Sequence, residues 1–438
     1  VPTLPADHPL RAELTAEVHA RPPELLPVPQ RVSYLGMFAD GTHRAAEWAH
    51  LAALAARYGV TLPGKPVNHF SRDFGDFRLK YERHTEFARY VFIVAGSDPE
   101  PFATTAIDRV PAEWIAALPG SLMIASHAVL IATEGDDRRP NWDALSARVF
   151  DGNPLVGSDV GEGIATVVTD VRVQPDGFSR VLVLDRGLSP RQAGRMLQRL
   201  FEIDTYRIMA LLALPLARDV LPFLLKGEQE LSQLTSALTT ASERDEPQLF
   251  EQLTRLEAAV ENAITANDYR FGAAMAYYEL VQRRIDELRE LRIQGLQTFQ
   301  EFTERRLAPA MNTCRTAVAR QESLSARVAR ANQLLSTRVG ISRERQNQTL
   351  LESMDRRAEA QLRLQQTVEG LSVAAITYYV VGLVGYLAKS LNHVGLPVNP
   401  EVAMGIAIPI VAGCVWYLTR RIRRRLATNR RPDTAPLP

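Results

Sequence analysis

Two apolar runs near the C-terminus constrain this chain more than any other feature. They extend from Leu371 to Ala388 and from Val402 to Leu418, 18 and 17 residues without a formal charge. Each approaches the ~20 helical residues that cross a hydrocarbon core. Neither shows a polar face, as a buried soluble helix pair would. Aromatics cluster at the ends, Tyr386 beside Lys389, and Trp416 and Tyr417 beside the arginines. A block of Arg420, Arg421, Arg423, Arg424 and Arg425 stops the second run. Together these features predict a two-helix transmembrane hairpin, with the bilayer as its first partner.

Charge on the flanks orients the hairpin. Arg356, Arg357 and Arg363 precede the first run, and the arginine block with Arg430 and Arg431 follows the second. The connecting stretch KSLNHVGLPVNPE has one lysine. Positive residues stay inside, so both termini and most of the chain are expected on the cytoplasmic side. Gly395, Pro397 and Pro400 suit a tight reversal between the runs. The N-terminal VPTLPADHPLRAEL has no basic region followed by an apolar one, so insertion is expected to rely on the C-terminal runs. The arginine block reads as a stop-transfer signal that also suits anionic lipid headgroups.

Whether such a hairpin only anchors, or lines a path when copies assemble, is a separate question. Pro409, with Gly405 and Gly413 on either side, gives a slim face suited to close helix contact, within one hairpin or between subunits alike. Neither run contains Asp, Glu, Lys, Arg or His, the usual marks of an ion path. Thr377, Tyr378 and Tyr379 are the polar groups deep enough to face a lumen.

From Leu188 to the first run the chain reads almost entirely as helix. Ser189 is a cap and Pro190 takes the first helical position; Pro215 and Pro222 are expected to kink or break this helix. A turn at SERDEP precedes a helix with Leu249, Leu253, Leu256, Val260 and Ile264 on one face. Between Pro309 and Pro397 there is no proline. Leu324, Val328, Ala331, Leu335 and Val339 form an apolar stripe that pauses at SRERQNQ and resumes at Leu351, Met354, Ala358 and Leu362. Unbroken, this helix would reach ~120 Å; a fold-back near Gly340 would halve that. Either way the stripe calls for partners, from its own chain or from other copies.

Residues 1–187 have a different texture. Short β-rich runs occur at RVSYLGMFA, RYVFIVAG, SLMIASHAVLIAT, IATVVTDVRV and FSRVLVLD, with a helix over 42–58. QPDG between the last two is a hairpin signal, and the pattern predicts an α+β domain with a largely antiparallel sheet.

Seven of the eight histidines lie in this domain. His43, Glu47 and His50 fall at i, i+4 and i+7 on one helix face, a spacing that metal ligation can use. Trp48, Leu51, Ala55 and Tyr58 form the apolar face of the same helix, so the His/Glu stripe is expected to point to solvent. GVTLPGKP imitates a phosphate-binding loop, but Pro66 replaces the magnesium-holding hydroxyl and a helix, not a strand, precedes it. VGSDVGEG lacks the helix N-terminus that would hold a phosphate. In FRLKYERHTEF, Arg78, Lys80, Glu82, His84 and Glu86 share a face in strand register, which reads as a polar site or, better, a water-exposed ladder of alternating charge. His8, Arg11, His19 and Arg21 form a further polar segment without a nameable reaction. No nucleophile–base–acid set emerges, so the chain is read as a non-enzyme without a cofactor. Cys314 and Cys414 are expected in water and in lipid, which leaves no disulfide framework. A net charge of +1 gives no pointer to nucleic acid.

The stretches HPLRAELTAEVHARPP, YERHTEF, FGAAMAYYELVQRRIDELRE, ERRLAPAMNTC and MDRRAEAQLRLQQTVEGLSVAAITYYVVGLVGYLAK resemble a bacterial family of membrane-anchored proteins catalogued only as a domain of unknown function. That resemblance implies a bacterial inner-membrane location and brings no activity. The layout is also similar to that of CorA-type magnesium channels, homo-oligomers in which the first membrane helix lines the pore. Their Gly-Met-Asn triplet is missing: only Gly385 and Asn392 are reminiscent, and Lys389 places a positive charge at the mouth, unsuited to a divalent cation.

The expected architecture is an α+β N-terminal domain (1–187), a helical bundle with a long stalk helix (188–370), a transmembrane hairpin (371–418) and a basic cytoplasmic tail (419–438). The expected function is a homo-oligomeric, CorA-like ion conduit for cation transport, gated by its large cytosolic domain, in which Thr377, Tyr378 and Asn392 face the lumen. The alternative is a membrane-anchored scaffold or sensor whose N-terminal domain binds a partner.

Overall fold

The structure, a computed structural model, describes residues 5–12, 14–15, 22–133, 140–242, 244–393 and 399–428. Contacts divide the chain into two units, 1–333 and 334–438.

Unit one is built on a sheet of nine strands: β1 (Gln30–Phe38), β2 (His69–Asp73), β3 (Arg78–Arg83), β4 (Phe87–Ala95), β5 (Ser121–Ala132), β6 (Val156–Val160), β7 (Ala165–Thr169), β8 (Ser179–Asp185) and β9 (Leu291–Arg292). Their order is β2-β3-β4-β1-β5-β8-β7-β6-β9. Only β5 and β8 pair in parallel; all other neighbours are antiparallel. The five apolar runs become β1, β4, β5, β7 and β8. At QPDG, Gly177 takes φ +88°, which a residue without Cβ adopts freely. β9 comes from beyond residue 187, so the sheet draws on the helical part of the sequence as well.

Helices cover both faces. One face carries α1 (Arg44–Arg57), α2 (Ala112–Ala116) and α3 (Trp142–Val149). Here Leu35, Met37, Tyr81, Tyr90 and Phe92 pack with Leu51, Leu54 and Trp114. A second cluster joins Leu145 and Phe150 to Val168, Leu182 and Ile293. The other face carries α4 (Pro190–Leu211), followed by α5 (Ala213–Thr240) and α6 (Glu246–Leu288). Tyr34 of β1 stacks on Phe201 of α4, ring centroids 4.6 Å apart. The period of two along β1, β3 and β4 thus divides their side chains between two helical layers.

Local signals set the helix ends. The Ser189 hydroxyl accepts from the Gln192 amide while the Gln192 side chain accepts from the Ser189 amide, a reciprocal cap ahead of Pro190. The break between α4 and α5 falls at Leu212, where Pro215 cannot donate to the Leu211 carbonyl. Pro222, expected to kink or break the helix, lies inside α5, and the carbonyl it leaves unpaired belongs to exposed Arg218.

The last two helices are α7 (Phe299–His393) and α8 (Pro400–Thr428). α7 passes through Gly340 without a break, so the chain does not fold back there. Leu324 and Val328 are buried in unit one, where Arg320 pairs with Glu228 of α5 at 2.7 Å and Asn332 bonds Glu257 of α6 at 2.6 Å. Further along, Leu351, Met354 and Leu362 are 61, 58 and 58% exposed. The stripe therefore finds intramolecular cover only in its first half.

Three helical stretches, Pro190–Thr240, Phe299–Asn392 and Pro400–Arg421, are long and apolar enough to cross a membrane by length and composition. The first is folded onto the sheet, where α4 buries Met196, Leu200, Phe201 and Met209. The other two carry the C-terminal apolar runs. The chain thus has an α+β region, a large helical bundle and apolar helices of membrane length, an arrangement consistent with membrane association. Residues 394–398, where the reversal is expected, lie outside the described residues.

Candidate functional site

The charged stretch in β3 marks the most elaborate polar feature of unit one. Lys80 and Glu82 do not form a ladder open to water: both are buried under α4. The Lys80 ammonium lies 3.0 Å from Glu82 Oε1 and donates to the Pro22 carbonyl at 2.8 Å. Arg89, on neighbouring β4, is 3.3 Å from Glu82 Oε2 and 3.4 Å from Glu202 Oε1 of α4, and donates to the Tyr206 hydroxyl at 3.1 Å. Glu202 also pairs with Arg284 of α6, which reaches Glu287 at 2.9 Å. One connected set of charges thus joins β3, β4, α4 and α6. The exposed-ladder expectation fails because the helices cover this face and supply the countercharges from above.

The environment holds Arg89 and Glu202 ionised. Burial opposes the charged Arg89 guanidinium, but the surrounding tyrosines, Glu82 and Glu202 outweigh it and raise its pKa above the ordinary arginine value. Burial also pushes Glu202 toward neutrality, and Arg89, Gln198 and Arg284 more than reverse this, so its pKa lies below the usual carboxylate range. Arg89 also sits 5.4 and 5.6 Å from the ring centroids of Phe87 and Tyr206. Glu82, Arg89 and Gln198 border a cavity of about 30 Å³, room for an ordered water.

At the end of the same strands the layer opens outward. Glu86, in the β3–β4 turn, pairs with Arg270 of α6 and accepts from the Tyr277 hydroxyl at 2.8 Å. Beside it lies a groove of about 630 Å³ between the start of α1, the β3–β4 turn, α4 and α6.

The His43, Glu47 and His50 face does not converge. His43 lies just ahead of α1 and its Nδ1 meets Asp40 at 2.9 Å. Glu47, expected in solvent, is 0% exposed. Its carboxylate pairs with Arg83 and accepts from Tyr81 at 2.8 Å. His50 stacks on Trp114 and its Nε2 lies 2.8 Å from the Trp114 carbonyl oxygen. Each side chain serves a separate contact, and no group of three His, Cys, Asp or Glu that could hold a metal occurs among the described residues. The helix turns Glu47 inward because β3 supplies a buried arginine opposite it.

In unit two, Gly385 of α7 lies against Met404 of α8, such that a Cβ at 385 would stand 2.5 Å from the Met404 sulfur. Ala388, one turn on, is buried. Thr377, at helical spacing from these two, is partly buried and returns its hydroxyl proton to the Val373 carbonyl at 2.7 Å. Tyr378 is 77% exposed, and Asn392 is exposed near the end of α7. Thr377, Tyr378, Lys389, Glu401 and Met404 border one cleft of about 1000 Å³. Arg420 and Arg421 are exposed at the end of α8, Arg420 4.8 Å from the Trp416 ring centroid. Arg423, Arg424 and Arg425 continue the helix backbone. Arg430, Arg431, His19 and Arg21 lie outside the described residues.

Sequence reasoning missed Arg89, Glu202, Tyr206, Tyr277 and Arg284. The available signal was an arginine opening an otherwise apolar strand, RYVFIVAG, and acidic and basic residues within strongly apolar helices.

A family model described as "Protein of unknown function (DUF3422)" matches residues 6–426. No curated protein matches the chain, and no solved structure does. The chain belongs to the DUF3422 family.

Proposed function

We propose that the chain is a bilayer-anchored homo-oligomer of CorA-like layout, with both termini in the bacterial cytoplasm. In this reading the C-terminal runs form a transmembrane hairpin, and copies of α7 pack side by side around a path for small ions. The reading is supported chiefly by α7 itself. This single helix leads from the folded unit into the first apolar run, and its stripe at Leu351, Met354 and Leu362 is exposed before the membrane begins. Apolar positions at three-four spacing on an exposed helix are most readily buried by equivalent helices of other copies. Lys389 at the mouth and the missing Gly-Met-Asn triplet disfavour a divalent cation, so the expected cargo is a small ion other than magnesium.

Liposome flux tests the conduit. Thr377→Leu or Asn392→Ala is expected to change ion flux through the reconstituted protein; wild-type flux indistinguishable from empty liposomes would overturn it.

A second reading is favoured by the Gly385–Met404 contact and by the absence of charged side chains within both runs. Here the hairpin only anchors, and unit one acts as a scaffold or sensor. An oligomer without flux would support this reading.

A further inference from the structure

We propose that the groove at the end of β3 and β4 is a binding site for a small anion carrying a planar ring. The inference rests on unit one alone and is independent of whether the membrane helices conduct.

The groove joins parts distant in sequence. Arg44 opens α1, Asn68 precedes β2, His84 and Thr85 form the β3–β4 turn, and Tyr206 and Tyr277 come from α4 and α6. Its volume of about 630 Å³ lies within the range of small-molecule sites. It is also the place where two of the stretches that carry the family resemblance, YERHTEF and FGAAMAYYELVQRR, meet.

Its chemistry is that of a donor-lined cleft. Arg44 is exposed, and its guanidinium makes a 3.5 Å bond to the Pro66 carbonyl with no carboxylate partner among the described residues. Asn68 offers an amide and Thr85 a hydroxyl. The Tyr206 oxygen accepts from Arg89, so this ring ties the cleft to the buried charge layer. The nearby carboxylates are already engaged, Asp40 by Thr42 and His43, Glu47 by Arg83, and Glu86 by Arg270 and Tyr277. Arg44 is therefore the guanidinium of the cleft without a carboxylate partner among the described residues, a donor suited to an anion.

The remaining wall is aromatic. Tyr206 and Tyr277 stack with centroids 5.7 Å apart and planes at 22°, and Phe87 lies 6.5 and 6.4 Å from their two centroids. An aromatic wall beside a guanidinium matches a ligand with a flat ring and a phosphate or carboxylate group.

Isothermal titration of the full-length protein in nanodiscs tests this, with adenosine monophosphate and 4-hydroxybenzoate as probes, adenosine and inorganic phosphate as the separate halves of the first, and phenol and acetate as those of the second. At least one ring-bearing anion is expected to bind, and to bind more tightly than either half. Arg44→Gln, at an exposed position, is expected to weaken that binding about tenfold. Arg255→Gln, on an exposed face elsewhere, is expected to leave it unchanged. No binding of either anion, or equal weakening by the two substitutions, would overturn the proposal.

Discussion

Arg89 of β4 and Glu202 of α4 face each other at 3.4 Å, both buried, at the point where the sheet meets the helical layer. Neither charge has access to bulk water, so each depends on its partners for stabilisation. Removing one partner leaves an uncompensated buried charge, which costs far more than the pair contributes.

Arg89→Met is therefore expected to destabilise the folded unit by about 3 kcal/mol, since it removes the countercharge that Glu82 and Glu202 share and leaves Lys80 and Arg284 as their remaining partners. The double change Arg89→Met with Glu202→Met is expected to cost less than the sum of the single changes. Chemical denaturation of the full-length protein, followed by tryptophan fluorescence, reads both effects; additive losses would show that the two side chains are not coupled.

His127 of β5 gives a pH signature. Burial holds its pKa down at about 4, against 6.5 for a free side chain. It stacks on Phe178 and meets the Ser33 hydroxyl at 2.9 Å. Above pH 6.5 the ring is neutral in both the folded and unfolded chain. Between 6.5 and about 4 the unfolded chain takes up a proton that the folded chain excludes, so stability falls as pH falls and the loss levels off below about 4. The loss is expected to reach about 3 kcal/mol. His127→Gln should remove this component from the pH profile of the unfolding midpoint, and an unchanged profile would count against the assignment.

Gly194 of α4 lies against the backbone of residue 24, such that a Cβ would stand 1.7 Å from the Glu24 carbonyl oxygen. Gly194→Ala is expected to displace this segment and cost about 2 kcal/mol. Hydrogen exchange at the Leu26 amide, bonded to the Pro190 carbonyl at 3.0 Å, should accelerate. Gly272→Ala, on α6 with open space around it, should instead stabilise by up to about 1 kcal/mol. The same sign for both changes would contradict the packing described.

Much of this architecture was legible in the sequence where a signal was local. Ser189 with Pro190 fixes the start of α4, QPDG fixes the β7–β8 hairpin, and the apolar runs announce the helices of membrane length. The polar layer was not legible, for a physical reason. Whether Lys80 and Glu82 face water or a helix depends on what packs above β3, and that helix lies more than a hundred residues further along the chain. The alternating charge in YERHTEF fits an exposed edge equally well. Glu47 escapes sequence reasoning for the same reason: a carboxylate at helical spacing with two histidines suggests a wet face until Arg83 of β3 is found opposite it. The groove lined by Arg44, Tyr206 and Tyr277 joins distant segments, and no spacing rule links them.

In the hairpin account, Gly385 and Met404 belong to neighbouring helices of one chain. Gly385→Cys with Met404→Cys, in a background with Cys314 and Cys414 replaced by serine, is expected to form an intrachain disulfide on mild oxidation. Cross-linking exclusively between chains would place the α7–α8 contact between subunits.

The proposed assembly depends on what covers Leu351, Met354 and Leu362 of α7. The most direct test is the number of subunits in the lipid-embedded protein, read by native mass spectrometry from nanodiscs. One closed ring of three or more copies is expected, reduced to smaller species by Leu351→Glu with Leu362→Glu. A monomer or dimer, unchanged by those substitutions, would contradict it.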